Sequence, residues 1–169
     1  MYSIYKIKTY NTKAINYEKI TGNIDKICDK IEKDKSYHLI YTKDDNLIFF
    51  FDIDHIYDEN IFHNIIDCIC DYFDIEDEER EDQIFYTQSK KDNNELSYHI
   101  SIPKFYTSCE NMKTIISHFT SVYKYISSYI DLSVYKSYNL FRLPNQSNKE
   151  KINKHSIIKG ENVIFIIII

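Results

Sequence analysis

Apolar residues recur along this 169-residue chain in two rhythms. Alternation over residues 2–9 predicts a first strand, whereas Ile20, Ile24, Ile27 and Ile31 return at three-to-four spacing and predict a first helix over about 16–33. Tyr37–Thr42 and Leu47–Ile53 read as strands joined into a hairpin by the turn-rich KDDN, the second ending in FFFDIDH. Ile61, Ile65, Ile66, Ile69 and Phe73 predict an amphipathic helix over 59–73, and the acidic run Asp71–Asp82 reads as a solvated helix end or loop with no chemistry assigned. Gln83–Thr87 and Leu96–Ile102 predict a second hairpin across KKDNNE, with Pro103 stopping its return strand. Met112, Ile115, Ile116, Phe119, Val122, Tyr123 and Ile126 mark the clearest helix, over 109–129. Beyond it, 132–135 and 140–143 read as short strands, PNQSNKEKINK as a polar loop and 163–169 as a buried strand.

Helices interspersed with hairpins predict an α+β domain with a mainly antiparallel sheet, one compact unit over 1–169. Hydrophobic residues make up 43% of the chain, with 16 Tyr and 10 Phe, enough apolar material for a packed core. The two glycines, Gly22 and Gly160, stand far apart, which excludes both a Walker-type phosphate loop and a dinucleotide fingerprint. Cys68 and Cys70 are too close for a zinc knuckle, so the four cysteines read as buried thiols. No signal-peptide core opens the chain and its last apolar run is far below the ~20 residues that span a bilayer, so the expectation is a soluble intracellular protein with no membrane partner. The terminal VIFIIII reads as a strand cut within a longer protein or as an end tucked into the sheet.

Chemistry concentrates at predicted strand ends. Asp52 and Asp54, two apart on an apolar strand, share a sheet face, and two like charges held there call for a cation between them. Ser97 and His99 repeat that spacing on a later strand, putting a hydroxyl and an imidazole on one face. Asp131 follows the long helix predicted over 109–129, and eleven residues on stands Arg142, one of only two arginines in the chain. Residues 132–160 carry six basic side chains against one acid, Glu150, in a chain of net charge −5. A local basic segment beside an acidic cluster suits a phosphate-bearing substrate, while the overall charge argues against non-specific nucleic-acid coating.

Together, FFFDIDH, LSYHISI (96–102) and DLSVYKSYNLFRLPNQSNK (131–149) resemble the archaeo-eukaryotic primase superfamily, in the branch of primase-polymerases and of the primase-helicases of large DNA viruses. The third segment is the most specific, with aspartate, tyrosine four residues on and FRL at eleven. The resemblance implies an RRM-like catalytic core that makes or extends a primer on a single-stranded DNA template from NTPs or dNTPs. It implies that Asp52, Asp54 and Asp131 hold two Mg²⁺ or Mn²⁺ ions, that Ser97 and His99 contact the triphosphate, and that Arg142 and Lys149 contact phosphates. A helicase, fused downstream or separate, is the implied partner. The chain departs from the family pattern with Asp54 where many relatives have Glu, Asn139 where some have a basic residue, and a loop one residue longer before Lys149.

Two other readings compete. An apolar run followed by DxD also opens haloacid-dehalogenase-type phosphatases, with Asp52 as nucleophile and Asp54 as acid, although His55 and Ile56 follow where those sites have a small residue and Thr. The other is an inactive module that binds single-stranded nucleic acid.

Overall fold

The computed structural model describes residues 2–11, 14–23, 25–27, 29, 37–42, 44–136, 139–142, 147–148, 151–154 and 156–159. Among the described residues, strands and helices alternate in an α+β arrangement, and every strand pairing described is antiparallel. Strands β1 (Tyr2–Asn11), β2 (Ala14–Gly22), β3 (Tyr37–Tyr41) and β7 (Asn139–Arg142) form one sheet in the order β2-β1-β3-β7. A second sheet has the order β10-β5-β6-β4, from β4 (Asn46–Ile56), β5 (Phe85–Lys90), β6 (Leu96–Ser108) and β10 (Ser156–Lys159). The short β8 (Ser147–Asn148) and β9 (Lys151–Lys154) pair with each other.

Several expectations are corrected. Residues 14–22 are a strand paired along β1, not the start of a helix: Tyr17, Ile15 and Ile20 suit a pleated ladder, and the isoleucine spacing runs across the junction between two elements. Helical turns begin only after Gly22, where Asn23 accepts the Lys26 N–H on its side chain and the Ile27 N–H on its carbonyl. Strands β3 and β4 are no hairpin, because β3 is satisfied by β1 and β7 while β4 pairs with β6 in the other sheet. Asp45 makes the crossing turn, accepting the Thr42 N–H on its carboxylate.

Pro103 does not end β6. Ile102 opposes Phe49 and Tyr106 opposes the adjacent Ile48, so residues 103–105 bulge out of the ladder where a missing N–H costs nothing. The region 109–129 divides into an α-helix, Cys109–Val122, and a 3-10 helix, Lys124–Tyr129. Near that break Ser117, Thr120 and Ser121 all turn their hydroxyls back onto helix carbonyls. Leu132–Val134 is a 3-10 turn instead of a strand, because the Asp131 carboxylate caps it by accepting the Ser133 N–H. Within the expected polar loop lie β8 and β9, and β10 adds an unforeseen strand to β5. The expected strand 163–169 lies outside the described residues.

The remaining elements follow the pattern. Helix α1, Glu59–Phe73, starts at Asp58, whose carboxylate accepts the Asn60 N–H, and stops at Asp74 in the left-handed conformation. Short α2 (Arg80–Gln83) follows a 3-10 turn at Asp77–Glu79, and α3 is Cys109–Val122. Arg80 ties the acidic run to α1 by pairing with Asp67 at 2.9 Å and Asp77 at 3.0 Å. Cys68, Cys70 and Cys109 are buried free thiols, as expected. Cys28 lies outside the described residues.

Strand β4 divides the molecule by parity. Phe49 and Phe51 turn to the helices, with Phe49 and Phe51 both against Phe73 of α1 and Phe51 against Phe119 of α3. On the same side Tyr98 of β6 stacks on Phe62 of α1 with ring centroids 3.8 Å apart. Phe50 turns the other way, to Tyr41 of β3 and to Tyr135. Asp52 and Asp54 continue the Phe50 side, away from the helices. No helix among the described residues is long and apolar enough to cross a membrane.

Candidate functional site

Four chain segments meet at Asp52. His99 stands directly opposite it on β6, and Thr87 opposes His99 on β5. On the other flank β4 is the outer strand, and the chain after α3 comes back along it. Ile130 forms an isolated antiparallel bridge with Ile53, and the Asp131 N–H donates to the Asp52 carbonyl at 2.9 Å. Continuing that register sets Asp131 opposite Asp52, so Thr87, His99, Asp52 and Asp131 form one row across the sheet face. Residues 47 and 79 apart in sequence from their neighbours in the row are thereby brought together. The row is well covered: Asp52 is 9% exposed, and the His99 Nε2 is 3.7 Å from its Oδ1.

The next row begins with Asp54. Ile53 opposes Tyr98 and Ile56 opposes Leu96, so Asp54 and His55 together face Ser97, a two-against-one bulge with His55 at φ 63°. Ser97 is buried and pairs with Ser89, itself buried. Ser101 and Thr87 are buried on this face too, so polar side chains gather around Asp52 beside the aromatic contact of Phe50 with Tyr135.

Tyr135, four residues after Asp131, braces the site from beneath. Its hydroxyl donates to the Phe50 carbonyl at 3.0 Å and receives the Asp52 N–H at 3.3 Å. Burial pushes its pKa well above the ordinary tyrosine value, and the charges of Asp52 and Asp131 push the same way. The hydroxyl therefore stays protonated and able to donate.

A second polar hub, absent from the sequence expectations, lies at the β5–β6 turn. Glu95 is 5% exposed, and its carboxylate receives Lys91 Nζ at 2.5 Å, Tyr57 Oη at 3.3 Å and Asn93 Nδ2 at 3.3 Å, with His55 Nδ1 at 3.0 Å. The Lys91 hydrogen bond, against the opposing cost of burial and with help from Asn93 and His55, holds the Glu95 pKa at about 2. Burial alone would lower the Lys91 pKa, but the Glu95 hydrogen bond and the Asp54 and Glu95 charges together raise it. Lys91 Nζ also lies 3.8 Å from Asp54 Oδ1. Each aspartate of the DxD pair thus faces a nitrogen of the β5–β6 hairpin, Asp52 the His99 imidazole and Asp54 the Lys91 ammonium. A surface turn written KKDNNE carries no apolar signal, so only the converging donors reveal that Glu95 is buried.

No family model matches this chain, and no curated protein matches it. The case for its chemistry therefore rests on these residues. Oxygen donors on Asp52, Asp54 and Asp131 suit a hard divalent cation, and the backbone register puts two of the three opposite each other. Among the described residues, however, no three His, Cys, Asp or Glu side chains gather as a ligand set. Both Asp131 oxygens are engaged by Ser133, Oδ1 by its N–H at 2.7 Å and Oδ2 by its hydroxyl at 3.0 Å. Arg142 lies on β7 of the other sheet, its backbone opposite His38. Lys149 lies outside the described residues.

Proposed function

We propose that this protein is a nucleotidyltransferase of primase type, adding nucleotides to a primer on a single-stranded DNA template. The observation that carries the reading is the Asp131 N–H bond to the Asp52 carbonyl, with His99 opposite Asp52 on the other flank. Asp52, His99 and Asp131, one from each of the three segments that resemble the primase pattern, are neighbours in one row across the sheet. The antiparallel pairing and the packing of α1 and α3 on the side of β4 away from Asp52 agree with an RRM-like core.

In this reading Asp52, Asp54 and Asp131 hold Mg²⁺ or Mn²⁺, which when bound supply acidity to a 3′-hydroxyl and neutralise charge on departing pyrophosphate. Each Asp131 oxygen accepts one hydrogen bond from Ser133 and retains a lone pair for a cation. His99 orients Asp52 and offers a donor to a phosphate oxygen, and Ser97 adds a hydroxyl on the same face. Arg142 and Lys149 are assigned to phosphates by sequence position, and a planar guanidinium fork explains an arginine kept in a chain that has two. A helicase, fused or separate, would supply the unwound template.

The test is incubation with single-stranded template, labelled nucleotides and Mg²⁺ or Mn²⁺, comparing the native chain with Asp52→Ala. Template-dependent products lost in the variant support the proposal. Phosphate release without template would instead favour the phosphatase reading, which needs a parallel sheet. DNA binding with neither product would favour an inactive module, a reading supported by the engaged Asp131 carboxylate.

A further inference from the structure

Lys91 is held where a cation bound at Asp54 would compete with it. Its ammonium is fixed on Glu95 at 2.5 Å, and Glu95 cannot follow it into solvent, being buried under donors from Tyr57, Asn93 and His55. The same ammonium is 3.8 Å from Asp54 Oδ1, close enough to compensate that charge and too far for a full hydrogen bond. One contact is firm and the other loose, so Lys91 can yield Asp54 while keeping Glu95.

We infer that Lys91 is the resident counter-cation of Asp54, which a divalent ion entering the site must displace, and that Glu95 is the anchor keeping it within reach. The inference rests on the reading of Asp52 and Asp54 as cation ligands and adds that the site is built to bind a bare divalent ion weakly. A divalent ion arriving with a triphosphate meets less repulsion, because the anion offsets the Lys91 charge. Lys91 thereby favours the metal–nucleotide complex over the free metal.

The test measures Mn²⁺ binding to the full chain, without DNA or nucleotide, by the electron paramagnetic resonance signal of free Mn²⁺. Lys91→Met should tighten binding about tenfold, the repulsion expected of one unit charge some 6 Å from a divalent ion in a water-like medium. Lys104→Met removes the same charge from an exposed pair with Glu79 and should change binding less than about twofold. Equal effects of the two substitutions, or none from Lys91→Met, would overturn the inference. If the native chain binds Mn²⁺ and Asp52→Asn abolishes this while Lys91→Met changes nothing, the inference fails and the metal site stands. If neither the native chain nor Lys91→Met binds Mn²⁺, both fall. Should Lys91→Met not fold, the lysine ammonium NMR signals of the native chain replace it, with Lys91→Arg used for assignment. Mg²⁺ should shift the Lys91 signal, and an unmoved signal at saturating Mg²⁺ would count against displacement.

Discussion

The hydroxyl of Tyr135 is hydrogen-bonded to the backbone of β4 on both sides of Phe51, donating to the Phe50 carbonyl and accepting the Asp52 N–H. The residue is 2% exposed, so both hydrogen bonds are made away from solvent. Tyr135→Phe should lower stability by about 1–3 kcal/mol, the cost of leaving buried polar groups unmet. Urea unfolding checks it. Loss of the same bond frees Asp52 to shift, so nucleotide incorporation measured well below the unfolding midpoint should fall as well.

Asp131 has a structural duty and a proposed chemical one, and a single substitution separates them. Asparagine keeps the side-chain oxygen that accepts the Ser133 N–H, so Asp131→Asn should leave stability within about 0.5 kcal/mol. Its lost charge should weaken Mn²⁺ binding and template-directed incorporation by at least about 100-fold, more than is typical for groups that only support a ligand. Ser133→Ala should do the reverse, costing some stability while freeing a carboxylate oxygen.

Glu95 gives the chain an acid limb. Its folded-state pKa of about 2 lies below the ordinary 4.5, so its contribution is present above pH 4.5 and lost as pH falls toward 2. Thermal melts across that window should show Glu95→Gln with a flatter acid decline than the native chain. At neutral pH the same variant should be less stable by about 2 kcal/mol, since Lys91 and His55 lose a charged partner.

The two faces of β4 should respond independently. Phe119 is fully buried against Phe51 on the helix side, so Phe119→Ala should cost about 3–5 kcal/mol. Mn²⁺ binding at a temperature where the variant remains folded should match the native chain. Calorimetry and the Mn²⁺ titration together check this.

Sequence patterning exposed those parts of the fold where one period holds between clear stops. Helix α1 has both a regular apolar stripe and Asp58 as cap, and the β5–β6 hairpin has two strands around a polar turn. It failed where pairing partners are distant. Ile20 and Ile27 fit a helical period, yet β1 takes Ile20 into a ladder and only Ile27 is helical. Tyr37–Tyr41 and Asn46–Ile56 are adjacent in sequence and belong to different sheets, a choice made by β1, β6 and β7. At the site, spacing alone put Asp52 and Asp54 on one face and singled out His99 and Asp131. Glu95 and Lys91 escaped notice because a charged residue in a polar turn carries no mark of burial, and Tyr135 entered only as part of a motif.

The bridge from Ile130 to Ile53 and the Asp131–Asp52 bond cover the middle of an outer strand. A long apolar edge such as Leu47–Ile53 would otherwise invite a strand from another molecule. The aspartate proposed for chemistry thus also guards against self-association. A change that loosens residues 130–131 would be expected to make the protein clump before it unfolds, and damage at this position would then be noticed first as lost solubility.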